Sequence, residues 1–180
     1  MNPVWVGLGS NIGTSRQALK RALASLDALS NTRLIEVSPC YRTPPWGVTE
    51  QPDFLNAVAR LSTRLEPIEL LQALKAIERE LGRSEYRTRW GPREIDLDIL
   101  VYADRIVNLP ELVVPHPFLA RRAFVLVPLH DIAPDLDVPG QGRVEDLLAS
   151  LDAKDRDAAQ PAEPIPRPAV RTSWAVDRTS

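Results

Sequence analysis

The 180-residue chain has one cysteine, two histidines and three lysines, and each scarcity removes a class of chemistry. Cys40 has no partner for an internal disulfide, and with only His116 and His130 beside it no Cys/His metal site can be assembled. Any metal must then be a hard cation on oxygen ligands. No apolar run approaches the ~20 residues that a membrane-spanning helix needs. Met1-Asn2-Pro3-Val4 opens no basic-then-apolar export signal, so the expectation is a cytoplasmic protein with no membrane partner. Excess positive charge is missing too. The 22 Lys plus Arg face 24 Asp plus Glu, and a net charge of -2 gives no bulk attraction to nucleic acid or an anionic bilayer. Phosphate binding would have to come from local clusters. The basic residues suit that, since 19 of the 22 are arginine, whose planar fork matches phosphate oxygens.

Length and a 44% apolar content fit one compact domain, alone or with a tail. Val4 to Ser10 reads as a first strand leaving through the turn Asn11-Ile12-Gly13. Thr14 to Gln17 has capping-box spacing and starts a helix with the stripe Leu19, Leu23, Leu26 and Leu29. Residues 34–41 and 54–61 carry strand formers, and between them Arg42-Thr43-Pro44-Pro45-Trp46-Gly47 is a stiff loop in which two prolines remove backbone donors. Pro67 opens a second helix with Leu70, Leu71, Leu74, Ile77 and Leu81 on one face and Gly82 as its stop. Residues 95–101 form a further strand. The order β, α, β, β, α, β closes most simply as an antiparallel sheet with both helices on one face. Short helices are expected before Leu129 and over 144–151. Residues 152–180 hold ten charged side chains and only four larger apolar ones, which predicts a disordered tail behind a single domain of 1–151.

In Ile95-Asp96-Leu97-Asp98-Ile99-Leu100 successive side chains alternate faces, so two carboxylates share a side about 6.5 to 7 Å apart. A strand with one wet face gives the same alternation. The preceding Arg89-Trp90-Gly91-Pro92-Arg93 adds arginines to the carboxylate pair, which is what phosphoryl transfer requires: carboxylates hold Mg²⁺ and arginines take the remaining phosphate charge. The glycine-rich Gly7-Leu8-Gly9-Ser10-Asn11-Ile12-Gly13 has no Gly-Lys-Ser/Thr end, which excludes a Walker-type cradle, and no run of parallel βαβ units follows it, so it reads as a structural turn. Tyr41 to Gly47 and Gln51 to Asn56 combine aromatics, rigid backbone and an amide, a set able to hold a planar heterocycle. Phe54 as a core residue and Asn56 closing a local turn is the plainer alternative. His116 between two prolines suits either a phosphate donor or a satisfied loop residue.

Taken in order, Gly9-Ser10-Asn11, Tyr41-Arg42-Thr43-Pro44-Pro45, Gln51-Pro52-Asp53-Phe54-Leu55-Asn56-Ala57, Arg89-Trp90-Gly91-Pro92-Arg93 running on to Asp96-Leu97-Asp98, and Pro115-His116 to Phe124 resemble the 6-hydroxymethyl-7,8-dihydropterin pyrophosphokinase family of folate biosynthesis. The resemblance covers about residues 1–151. It implies an α/β (α+β) ferredoxin-like fold and transfer of pyrophosphate from ATP to the pterin hydroxymethyl group, leaving AMP. It further implies that Asp96 and Asp98 hold two Mg²⁺ ions and that Arg83 and Arg93 assist the transfer. Thr43, Pro44, Trp46, Phe54, Asn56, Trp90 and Phe124 would surround the pterin, while Leu71, Glu78, Arg83, Trp90, Arg93, Ile99, His116 and Arg122 would contact ATP. A monomer acting on small molecules, with no nucleic-acid partner, is the corresponding expectation. The chain departs from the family pattern at Lys75, where glutamine is expected, at Glu85, and at Glu111-Leu112-Val113, which lacks an arginine and a threonine. A non-catalytic sensor on the same sheet would have no need of Asp96 with Asp98. A single-strand RNA binder would want a basic face with stacking aromatics, which the acidic strand opposes.

Overall fold

The computed structural model describes residues 1–45, 47, 49–82, 93–166 and 168. Its first half follows the expected order: β1 (Asn2–Ser10), α1 (Ser15–Ala28), β2 (Thr32–Val37), β3 (Tyr41–Thr43), β4 (Phe54–Thr63), α2 (Pro67–Glu80) and β5 (Asp96–Tyr102). β1 lies between β4 and β5, β3 and β2 pair the two ends of β4, and every pairing is antiparallel. This is the ferredoxin-like arrangement. Leu19, Leu23 and Leu26 of α1 and Leu70, Leu74 and Ile77 of α2 pack on Val4, Val6, Leu8, Ala57, Leu61 and Leu97 to make the main core on one sheet face. Each such side chain, fully buried, contributes about 1.5 to 3 kcal/mol.

Local chemistry departs from the simple reading at two places. Thr14 is the N-cap of α1 but makes no side-chain cap bond, so the expected capping box is not formed there. At α2 the start is reinforced instead by Glu69, whose carboxylate accepts the Glu66 N–H at 2.7 Å behind Pro67. The strand expected over 34–41 is two pieces, because Pro39 has no donor and Ser38 turns its hydroxyl to accept the Val58 N–H at 2.9 Å.

The second half of the chain covers part of the opposite sheet face. A hairpin of β6 (Val107–Asn108) and β7 (Val113–Val114) leads to a 3₁₀ turn (Leu119–Arg121) and α3 (Ala123–Ile132). A second hairpin of β8 (Asp137–Val138) and β9 (Gly142–Arg143) leads to α4 (Val144–Ser150). α3 is apolar nearly all round because it is enclosed: Leu126 and Leu129 join Trp5, Val58, Leu100 and Val101 from the sheet and Val138 and Val144 from beyond, forming a second core.

The expected disorder from Asp152 onward does not hold for 152–166. α5 (Ala153–Asp157) leads into β10 (Gln160–Pro161), which pairs with β3 at the sheet edge, and the Ala162 N–H donates to the Cys40 carbonyl at 2.8 Å. Ile165 is buried in the main core, and the Arg16 guanidinium on α1 donates to the carbonyls of Glu163 and Pro164 at 2.8 and 2.6 Å. One apolar anchor and an open strand edge suffice to order this segment, although its composition is charged. Residues 167 and 169–180 lie outside the described residues.

Candidate active site

A cavity of about 260 Å³ opens on the sheet face that α3 leaves uncovered. Its floor is main chain. Gly7 and Gly9 of β1 line it, and a Cβ at Gly9 would stand 3.0 Å from the Asn56 Oδ1, so a side chain there would push into the amide. In the sheet register Gly9 is opposite Asn56 of β4 on one side and Asp96 of β5 on the other, and Gly7 is opposite Asp98. The polar groups therefore form rows across three strands.

At the β3–β4 end, Asn56 is a strand residue, not the closure of a local turn. Its Nδ2 donates to the Thr43 Oγ1 at 2.6 Å, and both side chains are buried. Pro44, Phe54 and, from α3, Phe124 also line this end. An amide locked by a buried hydroxyl keeps a fixed orientation, which a flat ligand with donors and acceptors on its edge requires.

At the β5 end, alternation places Asp96 and Asp98 in the cavity while Leu97 and Ile99 turn into the helix-side core. Burial first, and then the negative charge of Asp96, push the Asp98 carboxyl up to about 7, against the opposing pull of Lys75 and Arg122. Arg93 enters from the loop ahead of β5 and pairs its guanidinium with Asp96. His116 is held at the rim by its N–H on the Leu100 carbonyl at 2.9 Å. Burial, followed by the nearby Arg122 charge, pushes its imidazole down to about 4, so the ring is neutral at physiological pH. The Phe118 N–H donates to His116 Nδ1 at 3.1 Å, and this hydrogen-bond pattern assigns the ring proton to Nε2. Nε2 and an Arg122 guanidinium nitrogen then stand 3.4 Å apart as two donors. An anionic oxygen between them satisfies both. Arg122 is itself stacked against Phe118 and Phe124, with its Cζ at 5.1 and 5.4 Å from the ring centroids.

Of the residues singled out from sequence, Thr43, Pro44, Phe54, Asn56, Arg93, Asp96, Asp98, His116, Arg122 and Phe124 meet in this one cavity. Leu71, Glu78 and Ile99 do not line it. Glu78 is buried on α2, where it accepts the Leu97 N–H at 2.7 Å and pairs with Lys75 at 3.0 Å, and Leu71 and Ile99 belong to the helix-side core. Trp46, Arg83, Glu85 and Trp90 lie outside the described residues. The sequence reading missed Gly7 and Gly9 as the floor. Their signal was present, since two glycines at alternate positions of a strand leave one face bare.

No group of three or more His, Cys, Asp or Glu side chains that could close around a metal occurs among the described residues. The Asp96–Asp98 pair nevertheless suits a hard divalent cation: two carboxylates, one of them held partly protonated by burial and its neighbour, gain from an ion that takes its remaining ligands from water and phosphate oxygens. Among the described residues no helix is long and apolar enough to cross a membrane.

Comparison with known proteins gives the chain's family. Residues 5–134 match the family model described as 7,8-dihydro-6-hydroxymethylpterin-pyrophosphokinase. The chain is 48% identical over 147 residues to a 2-amino-4-hydroxy-6-hydroxymethyldihydropteridine pyrophosphokinase of Pseudomonas aeruginosa, covering 82% of this chain and 90% of that one. It is 48% identical over 152 residues to the protein of the same name from Methylorubrum extorquens, covering 84% and 95%. Among solved structures, wild-type HPPK-DHPS of Plasmodium falciparum superposes on 82% of the chain with a TM-score of 0.64 at 15% identity, a likeness of fold alone, and the chain spans 44% of that longer protein. The matched span runs from β1 to the end of α3 and so takes in every strand and loop that lines the cavity, and on that span the chain belongs to the 7,8-dihydro-6-hydroxymethylpterin-pyrophosphokinase family.

Proposed function

We propose that the chain transfers the terminal pyrophosphoryl group of ATP to the hydroxymethyl oxygen of 6-hydroxymethyl-7,8-dihydropterin in folate biosynthesis. The pterin oxygen bonds to the β-phosphorus, the bond from that phosphorus to the α–β bridging oxygen breaks, AMP leaves with the electron pair, and the hydroxyl proton passes to water. The observation that carries this reading is the division of one cavity into a neutral, amide-bearing aromatic end and a carboxylate end ringed by Arg93, His116 and Arg122. A heterocycle fits the first and a polyphosphate with its metal fits the second.

Each residue then has a physical task. Phe54 and Phe124 offer apolar faces to the ring, while Asn56, oriented by Thr43, and the backbone at Pro44 read its edge. Asp96 and Asp98 would hold Mg²⁺, proposed as two ions, which supply the positive charge that draws the phosphate oxygens and the attacking hydroxyl together. His116 and Arg122 donate to a phosphate oxygen from two directions, and Arg122 keeps its place through the rings on which it stacks. Arg93 exchanges its pairing with Asp96 for the developing charge on the transferring group. Arg83, Trp46 and Trp90 retain the roles that their motif positions imply. Leu71, Glu78 and Ile99 carry no step in the transfer. A monomer working in the cytoplasm remains the expectation that goes with this reading.

The test is to incubate the protein with ATP, Mg²⁺ and the hydroxymethyl-dihydropterin and to separate the nucleotides. AMP in equal amount to a doubly phosphorylated pterin is expected, with loss of activity in excess EDTA. ADP as the nucleotide product, or no pterin-dependent AMP, would overturn the reading.

A further inference from the structure

Asn11 stands just past the end of β1, and its side chain is buried with every polar group occupied. Its Nδ2 donates to the Gln51 Oε1 and to the Pro52 carbonyl, both at 2.9 Å, and its Oδ1 accepts the Arg93 N–H at 2.8 Å. Its own N–H returns a bond to the Arg93 carbonyl at 3.0 Å, and the Ile12 N–H adds another at 3.3 Å. One amide thus ties together two segments 41 and 82 positions away in the chain. Pro52 is two residues ahead of Phe54, the aromatic wall, and Arg93 is the guanidinium at the phosphate end. Neither segment holds this geometry through regular structure: 51–53 precedes β4 and 93–95 precedes β5.

We propose that Asn11 is a positioning residue that sets the pterin wall and the phosphate arginine relative to each other, so that ordering one by its ligand lowers the cost of ordering the other. The inference rests on the pyrophosphoryl-transfer reading. It goes beyond that reading by assigning Asn11, which does not line the cavity, to the joint between the two subsites. The physical basis is a shared ordering cost: when two loops are fastened to one buried side chain, the entropy lost on fixing the joint is lost once, and the second ligand binds a loop already held. Replacing the amide by an isosteric apolar group removes three side-chain bonds and frees the two loops from each other.

The test uses the full chain and the variants Asn11→Leu and Gln51→Met, the second removing the Oε1 that accepts from Asn11, together with its amide nitrogen, at nearly constant volume. Melting temperature, AMP turnover, and pterin affinity with and without a saturating non-hydrolysable ATP analogue and Mg²⁺ are measured for each. The proposal expects that the nucleotide analogue strengthens pterin binding to the wild type. In Asn11→Leu that strengthening is lost by about tenfold and kcat falls at least as far, whereas pterin affinity without nucleotide changes little. Gln51→Met should show the same pattern at about threefold, and the double variant should be no worse than Asn11→Leu alone. If the two ligands bind independently in the wild type, or if both variants weaken each ligand separately while the ratio between the two pterin affinities stays at its wild-type value, the positioning role is overturned. Wild-type protein that forms no AMP would overturn the underlying reaction instead, whatever the affinities show.

Discussion

Asp98→Asn should melt at a higher temperature than the wild type while losing turnover, and the size of that gain follows from the site. Burial and the neighbouring Asp96 carry the Asp98 carboxyl from its ordinary 3.8 to about 7. At 1.36 kcal/mol per pH unit the ceiling is roughly 4 kcal/mol of strain on the metal-free fold at neutral pH. Because the side chain keeps some contact with solvent and the two carboxylates titrate together, about 1 to 2 kcal/mol is the expected share. A chain of this size gains about 2 to 4 °C per kcal/mol, giving roughly 2 to 8 °C. The sign with pH is definite. Below about 3 the group is protonated in both folded and unfolded chains and the penalty is absent. As pH rises, the unfolded chain releases the proton first, so the native state loses stability until the folded group ionises near 7. The variant's advantage should therefore be full at pH 8 and smaller at pH 4.5. Differential scanning fluorimetry in EDTA, repeated with excess Mg²⁺, measures both points. Magnesium should raise the melting temperature of the wild type and leave the variant almost unmoved. A variant that melts at or below the wild type in EDTA at pH 8, or an advantage as large at pH 4.5 as at pH 8, would refute the assignment of that strain to an ionised, metal-seeking carboxylate.

Arg93→Ala should lower kcat more than it weakens ATP binding, because a guanidinium drawn to developing charge acts mainly in the transition state; single-turnover rates beside nucleotide titrations decide this. Gly9→Ala should raise the pterin KM by about tenfold with little change in the ATP KM, since the added methyl would stand 3.0 Å from the Asn56 Oδ1 and displace the amide that reads the ring. Truncation after Leu151 should lower the melting temperature by roughly 4 to 8 °C. It removes the buried Ile165, worth about 2 kcal/mol, together with the β10 edge pairing and the Arg16 clamp, and an unchanged melt would show that 152–166 does not stabilise the body.

Much of this molecule is legible in its sequence where a period is long and uninterrupted. The leucine stripes of α1 and α2, the run of strand formers in β1 and the alternation in β5 place four elements and the helix-covered face. The site was legible for the same reason: Asp96 and Asp98 share a face by parity alone, and rigid loop residues cannot be displaced far from the strands they join. What escaped depends on partners distant in the chain. Ser38 breaks the 34–41 strand through a bond to Val58. The segment 152–166 is ordered by one isoleucine, an open edge of β3 and an arginine on α1. Composition averages over such single contacts and so reads them as absent. Ile99 faces the helix-side core by the strand parity that turns Asp98 the other way, and Leu71 packs there from α2.

Asn56, Gly9 and Asp96 occupy one line across β4, β1 and β5. Neighbouring strands lie about 4.8 Å apart, so the strand that carries Asn56 and the strand that carries the acidic pair are separated by about 9.6 Å. That interval is a ruler made of backbone hydrogen bonds, and no substitution of a side chain can lengthen it. A molecule is measured by whether its hydroxyl reaches the acidic strand when its ring edge meets the amide. Changes in the surrounding loops can alter how tightly a substrate is held, but the length of substrate that places its oxygen for reaction is set by the sheet.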